Sequence, residues 1–232
     1  MKVEIWSDVV CPWCYIGKRH FEAALAGFGH SDDVEVVWRS FQLDPTAAAT
    51  SDGDPVERLA QKYGKSREWA EAAHARVTEA AAQAGLEFHL DRSRSGNTFD
   101  AHRLLHFAAA AGKQGELKER LMRGYFTDGQ AIGEHSTLLG LAVETGLDEA
   151  ETKAVLDGDD FADDVRTDLK DAQELGISGV PFFVIDSKFG VSGAQPSEIL
   201  LDALQQAWQD AHPLVMVTQA GGETCADDSC AV

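Results

Sequence analysis

The chain opens on an apolar, β-branched and aromatic run, "KVEIW" (Lys2–Trp6), free of Gly and Pro, which predicts a short β-strand. After a brief loop, "YIGKRHFEAALAGF" repeats Ile16, Phe21, Leu25 and Phe28 at helical spacing. "DVEVVWRSFQL" (Asp33–Leu43) then reads as a second strand, ended by Asp44-Pro45. From about Pro55 to Leu175 the period changes. Stretches such as "REWAEAAHARVTEAAAQAG" and "TFDAHRLLHFAAAAG" are helical in pattern, with Gly85, Gly112, Gly129 and Gly146 placed as helix ends. About six helices fit this block, with a candidate short strand at "EFHL" (Glu87–Leu90). Strand character returns in "GVPFFVIDSKFGVSGAQP" (Gly179–Pro196), two apolar runs around a turn at Asp186–Lys188. "SEILLDALQQAWQDA" (Ser197–Ala211) is a final helix, and from Pro213 onward the periodicity is lost in a tail.

The order β-α-β, helical block, β-β-α predicts one α/β core interrupted by an all-helical insertion, rather than two successive domains. The expected boundaries are 1–50 and 175–212 for the core, 51–174 for the insertion and 213–232 for the tail. A length of 232 residues with 44% hydrophobic content is ample for such a core. A formal charge of −19 argues against nucleic acid or an anionic membrane as partner, since both would repel the protein. No run is apolar enough to span a bilayer, and "MKVEIWSD" lacks the basic-then-apolar order of a secretory signal. The cytoplasm is the expected compartment.

Four cysteines are too few for a disulfide scaffold in a chain of this length, so their placement carries the information. One pair lies in "DVVCPWCYIG", where a strand feeds a helix. Cys11 is expected at the N-cap, with Pro12 in the first helical position, where its missing N–H costs nothing. Free backbone N–H groups and the helix dipole there favour a thiolate on Cys11. Cys14, one turn in and more buried, suits a resolving thiol, and Lys18 lies on the same face as a modest positive charge. A structural zinc site through C-x-x-C would need two further ligands, with Cys225 and Cys230 the only cysteines left, and inert buried thiols are the third reading. Trp13 is expected to be exposed as a substrate-contacting aromatic. Asp8 is placed to cap the turn, and its charge opposes thiolate formation.

Val180-Pro181 stands immediately before an apolar strand, an awkward place for proline unless the strand begins there. A cis bond in a tight turn, with backbone free to pair with an extended peptide, is one solution; an ordinary trans proline is the other. The acidic run Asp157–Asp171 fails as a calcium loop, because Phe161 and Ala162 occupy positions that need an oxygen ligand and a glycine. It reads instead as acids at a helix N-terminus. The eight histidines show no metal-binding spacing, and no metal is expected.

Taken together, "DVVCPWCYIG", the helical insertion and "SGVPFFVI" followed by "VSGAQP" resemble the DsbA-like thioredoxin superfamily. The likeness is nearest to its FrnE-like branch, itself similar to 2-hydroxychromene-2-carboxylate isomerases and kappa-class glutathione transferases, and it runs from Val3 to about Ala211. The resemblance implies a thioredoxin-like fold interrupted by the insertion, with Val180-Pro181 cis and facing the dithiol. It implies Cys11 as exposed nucleophile and Cys14 as resolving thiol, with Pro181 and the Val180 backbone holding substrate main chain. Within "SGNTFDAHRLLHFA" (Ser95–Ala108), Asn97, Thr98 and His102 match residues near the family's groove; the plainer reading is helix capping by Asn97 or Thr98 and a core or surface His102. "TCADDSC" resembles the branch's C-terminal C-x4-C, so Cys225 and Cys230 are a candidate second redox pair; the plain alternatives are idle oxidation and capture of a soft metal with Asp227 and Asp228.

The expected activity is thiol–disulfide exchange on proteins that carry disulfides or thiols, by oxidation, reduction or isomerisation, with no bound cofactor and with glutathione as a candidate electron partner. The first alternative is a glutathione-dependent isomerase or transferase acting on a small electrophile. In those relatives the first cysteine is typically a serine, so Cys11 departs from their pattern. The second alternative is a metal-responsive cysteine-pair binding protein or chaperone.

Overall fold

A computed structural model describes residues 1–50 and 53–213. Four strands form one sheet in the order β2-β1-β3-β4: β1 (Lys2–Ser7), β2 (Glu35–Ser40), β3 (Phe182–Ile185) and β4 (Phe189–Ser192). β1 pairs parallel with β2, in register Ile5 to Trp38, and antiparallel with β3, Ile5 to Phe183. Helix α1 (Pro12–Ala26) makes the crossover between β1 and β2. The β3–β4 hairpin turns at Asp186 and Ser187, both with positive φ, and the Asp186 carboxylate accepts from Lys2 N at 2.7 Å.

Between β2 and β3 stand α2 (Pro55–Tyr63), α3 (Arg67–Gln83), α4 (Phe99–Ala110), α5 (Gln114–Phe126), α6 (His135–Glu144), α7 (Glu149–Asp157) and α8 (Ala162–Glu174), and α9 (Ser197–Ala211) follows β4 as the last described element. The block therefore holds seven helices rather than about six, because Gly64 in the left-handed region and a Ser66 N-cap split the first stretch into α2 and α3. "EFHL" is not a strand. Its His89 N–H is bonded to the Phe126 carbonyl at the end of α5, and Phe88 stacks on Phe126 with ring centres 4.5 Å apart. Strand β2 is shorter than the pattern suggests, since Leu43 N–H leaves the ladder for the Asp8 carboxylate. The acids Asp163 and Asp164 occupy the first turn of α8, where the helix dipole favours them.

The sheet's alternation sends its two faces into different cores. Val3, Ile5, Trp38, Phe183 and Ile185 pack with Phe21, Phe28, Leu200 and Leu204 of α1 and α9. Trp6 and Val184 face the other way, against Ala172 of α8 and Ile177, and the Trp6 indole N–H bonds to the Asp168 carbonyl at 3.0 Å. The largest core lies within the insertion, around Leu104, Leu117, Leu121 and Phe126, and it takes in Cys11, Cys14, Tyr15 and Ile16. The dithiol turn therefore sits where α/β core and helical block meet.

Candidate active site

The turn from β1 into α1 is built as the local sequence suggests. Cys11 is the N-cap with an extended backbone, Pro12 is the first helical residue, and Cys14 N–H bonds back to the Cys11 carbonyl at 3.0 Å. Both cysteines are free thiols. Trp13 between them is 47% exposed. The Val180–Pro181 peptide bond is cis, and the Cys11 thiol faces the Val180 carbonyl at 3.6 Å. Residues 169 apart in the chain thus meet at one spot.

Gly17 makes this meeting sterically feasible. A Cβ there would stand 2.9 Å from Pro181 Cγ and 3.4 Å from Ala194, so any larger residue would push the proline loop away from α1. His20 Nδ1 meets the Gln195 carbonyl at 2.9 Å, and Gly193 N–H bonds to the Pro181 carbonyl at 2.8 Å, fixing the loop from both ends.

One expectation needs correction. Cys11 is not exposed: it is only 4% accessible, because Val180 and neighbouring apolar side chains close over it. Once one proton is lost, the two thiols share the other between them and titrate as a pair. The hydrogen bond with Cys14, together with burial, pushes Cys11 well above the ordinary thiol range. For Cys14 burial opposes ionisation, but the hydrogen bond from Cys11, the nearby Ser7 hydroxyl and the charge of Lys118 prevail and hold it below that range. The pair thus carries one readily lost proton and one held tightly. Lys18 adds little field. It is bonded to Glu119 at 2.6 Å and to Glu22, while Arg19 and the Tyr15 hydroxyl also converge on Glu119. Despite its burial, those bonds bring Glu119 down to about 2.

Beneath the turn lies a set of ionisable groups that sequence reasoning assigned differently or missed. Asp8 is 1% exposed; one oxygen accepts from Leu43 N–H at 2.8 Å and the other faces His102 Nε2 at 3.4 Å. Burial raises the Asp8 carboxyl, but His102, Leu43 and Lys118 together hold it below the usual range, whereas burial keeps His102 below its own. The two shifts describe a carboxylate beside a neutral imidazole that donates from Nε2. His102 Nδ1 has no hydrogen-bond partner among the described residues, nor has the Ser7 hydroxyl in ordinary geometry. His102 is therefore a core residue under the dithiol and does not line an open groove. Asn97 caps α4 through Phe99 N–H at 2.9 Å and ties down the carbonyls of Pro45 and Ala47. Thr98 is buried at the N-cap without a side-chain cap bond. A cavity of about 430 Å³ adjoins Asn97, between Gln42, Pro45, Phe99 and Gly133.

Lys118 of α5 is the residue missed. Its side chain is wholly buried, its ammonium bonds to the Ser7 carbonyl at 3.2 Å, and it lies over the Trp38 ring at 5.4 Å. Burial lowers its pKa to about 8 against the pull of Cys14, Asp8 and Cys11. Cys225 and Cys230 lie outside the described residues. Among the described residues no group of three or more His, Cys, Asp or Glu side chains is arranged to hold a metal ion.

The sequence profile of the DSBA-like thioredoxin domain matches residues 2–205. The chain is 32% identical over 204 residues to the uncharacterized protein YwbO of Bacillus subtilis (strain 168), covering 87% of this chain and 94% of that one. It superposes on the crystal structure of a "probable DsbA oxidoreductase" from Streptomyces coelicolor with a TM-score of 0.87 and 46% identity, covering 100% of this chain and 99% of the other. The fold is shared with the cytosolic disulfide reductase DsbM from Pseudomonas aeruginosa with GSH, at a TM-score of 0.61 and 17% identity over 90% of this chain and 100% of that one.

Proposed function

Since the chain belongs to the DSBA-like thioredoxin domain family, we propose that it exchanges thiols and disulfides on protein substrates through Cys11 and Cys14. The observation that carries this reading is the placement of two free thiols one helical turn apart, with the outer one 3.6 Å from the carbonyl of a cis X–Pro bond. Cys11 attacks a substrate disulfide, its sulfur bonding to one substrate sulfur while the other leaves as a thiolate. Cys14 then attacks Cys11 Sγ, releases the second substrate sulfur and leaves a Cys11–Cys14 disulfide. An extended peptide, held against the Val180 and Pro181 backbone with Trp13 at its side, would displace the thiol from the Val180 carbonyl and open Cys11 to attack.

A cytoplasmic site of action, with net reduction or isomerisation and glutathione as electron partner, completes the proposal. No described helix is long and apolar enough to cross a membrane. The similarly folded DsbM is a cytosolic disulfide reductase seen with GSH, which supports the same setting here.

A glutathione redox titration with thiol trapping and mass spectrometry tests the proposal. The expected result is a single two-electron couple comprising Cys11 and Cys14, with Cys14→Ser trapping a mixed disulfide on Cys11. A stable glutathione adduct on Cys11 with no internal disulfide, and full activity in Cys14→Ser, would overturn it in favour of a glutathione-dependent transferase or isomerase. If Cys225 and Cys230 titrate in linkage with the first pair, the tail joins the redox chain.

A further inference from the structure

Helix α5 is seated on the sheet by a side chain that imitates a strand. The Gln114 amide accepts from Trp38 N–H at 3.0 Å and donates to Trp38 O at 2.9 Å, the two ladder positions on the outer edge of β2. One turn later on the same helix face comes Lys118, which this docking carries under the dithiol turn. An ammonium has three donors, and Lys118 Nζ makes a single hydrogen bond among the described residues, to the neutral Ser7 carbonyl. The nearby carboxylate does not pair with it. Asp8 is engaged by Leu43 and His102, and no Asp8–Lys118 contact lies within ion-pair distance.

A wholly buried ammonium without a carboxylate partner is costly unless some other anion stands near it. The groups whose charge acts on it are Cys14 and Cys11 from the start of α1, Asp8 from the loop after β1 and Lys18 of α1; His102 of α4, which also contacts Asp8, interacts with it directly as well. Of these, the dithiol is the one whose charge changes with its redox state.

Resting on the thiol–disulfide reading above, we propose that Lys118 is the charge partner of the reduced dithiol, a positioning residue supplied by the helical insertion. In the reduced protein it neutralises the single thiolate shared by Cys14 and Cys11. When a substrate disulfide is reduced, the Cys11–Cys14 bond forms, the substrate S–S bond breaks and two substrate thiolates appear. Their two protons are those of Cys11 and of Lys118, whose ammonium has lost its anion and gives up a proton through solvent. The insertion is then part of the redox centre.

The test compares wild type with Lys118→Met, which keeps the chain length and removes the charge. The expected result is a fall of about tenfold or more in thiol alkylation rate at neutral pH. The equilibrium with glutathione shifts about tenfold toward the internal disulfide, equivalent to about 30 mV more reducing. An unchanged alkylation profile and unchanged equilibrium in a folded variant would overturn the proposal. Should the variant not fold, NMR titration of the Lys118 side chain in wild type decides the matter. A proton held to higher pH in the reduced than in the oxidised protein supports it, and identical titrations overturn it. A wild-type protein with no Cys11–Cys14 couple at all would instead defeat the exchange reading on which this one rests.

Discussion

Helix α4 carries two histidines one turn apart, and each faces a buried aspartate, yet the two sites are built to opposite ends. Asp168, 1% exposed, receives Arg39 at 3.0 Å, Ser40 N–H at 2.7 Å and His106 at 2.9 Å, so its charge is met by a guanidinium and by hydrogen bonds on both oxygens. Asp8, equally buried, has one backbone donor, a long contact to a neutral His102 and, among the described residues, no lysine or arginine within ion-pair distance. Asp168 binds the outer edge of the sheet to α8 and leaves nothing over. Around Asp8, by contrast, an imidazole nitrogen without a partner and an ammonium short of acceptors remain among the described residues. Fully satisfied polar networks rigidify a fold, whereas an unpaired polar group in the low-dielectric interior is costly. On the exchange reading proposed above, the difference sets the network beneath the dithiol apart from a purely structural one.

The largest effect should come from breaking the satisfied site. Asp168→Ala removes the acceptor of Ser40 N–H, His106 and Arg39, although Arg39 keeps Glu4, and should cost about 2–3 kcal/mol, lowering Tm by roughly 5–10 °C in thermal denaturation. Its thiol alkylation profile should match wild type; a shift as large as that of an Asp8 variant would erase the contrast. Asp8→Asn should cost less, about 1–2 kcal/mol by denaturant titration. It removes a charge that opposes Cys11 ionisation, so alkylation at neutral pH should be several-fold faster.

Acid should separate the sites further. His102 has a lowered folded pKa, so below about 6.5 the unfolded chain takes up a proton that the folded protein refuses. Stability should fall with decreasing pH by up to about 1.4 kcal/mol per unit there. His102→Gln should flatten that limb in pH-dependent unfolding; an unaltered slope would assign the protonation elsewhere. The smallest effect is expected at Glu119. Its folded pKa of about 2 means its contribution is complete above 4.5 and is lost as pH falls toward 2. Glu119→Gln should change stability at pH 7 by no more than about 1 kcal/mol, because the cluster is partly solvated. It should leave the redox equilibrium within about twofold of wild type, since α1 already screens Lys18 with Glu22.

What the sequence made legible follows the range of the interactions involved. The N-cap cysteine, Pro12 in the first helical position and the hairpin turn at Asp186 are decided by neighbours a few residues away, and they were readable. The covering of Cys11 depends on Val180, far along the chain, and no local pattern announces it. Lys118 sits in "GELKERLMRGYF", where alternating charges read as a solvated face. Yet Leu121, Met122 and Tyr125, at spacings of three, four and seven from it, are all buried. A lysine inside an apolar helical stripe was the available signal, legible only once the stripe is drawn through residue 118 rather than around it.

The grip of Gln114 on both backbone groups of Trp38 also bears on how the sheet meets other chains. A four-stranded open sheet has two rims, and an unblocked rim is a template on which foreign strands polymerise. At Trp38 the β2 rim is already occupied by a side-chain amide, so a foreign strand pairing there would first have to evict it. Accidental stacking of one molecule on another through that edge is thereby discouraged. The same amide that seats α5 doubles as a guard against aggregation.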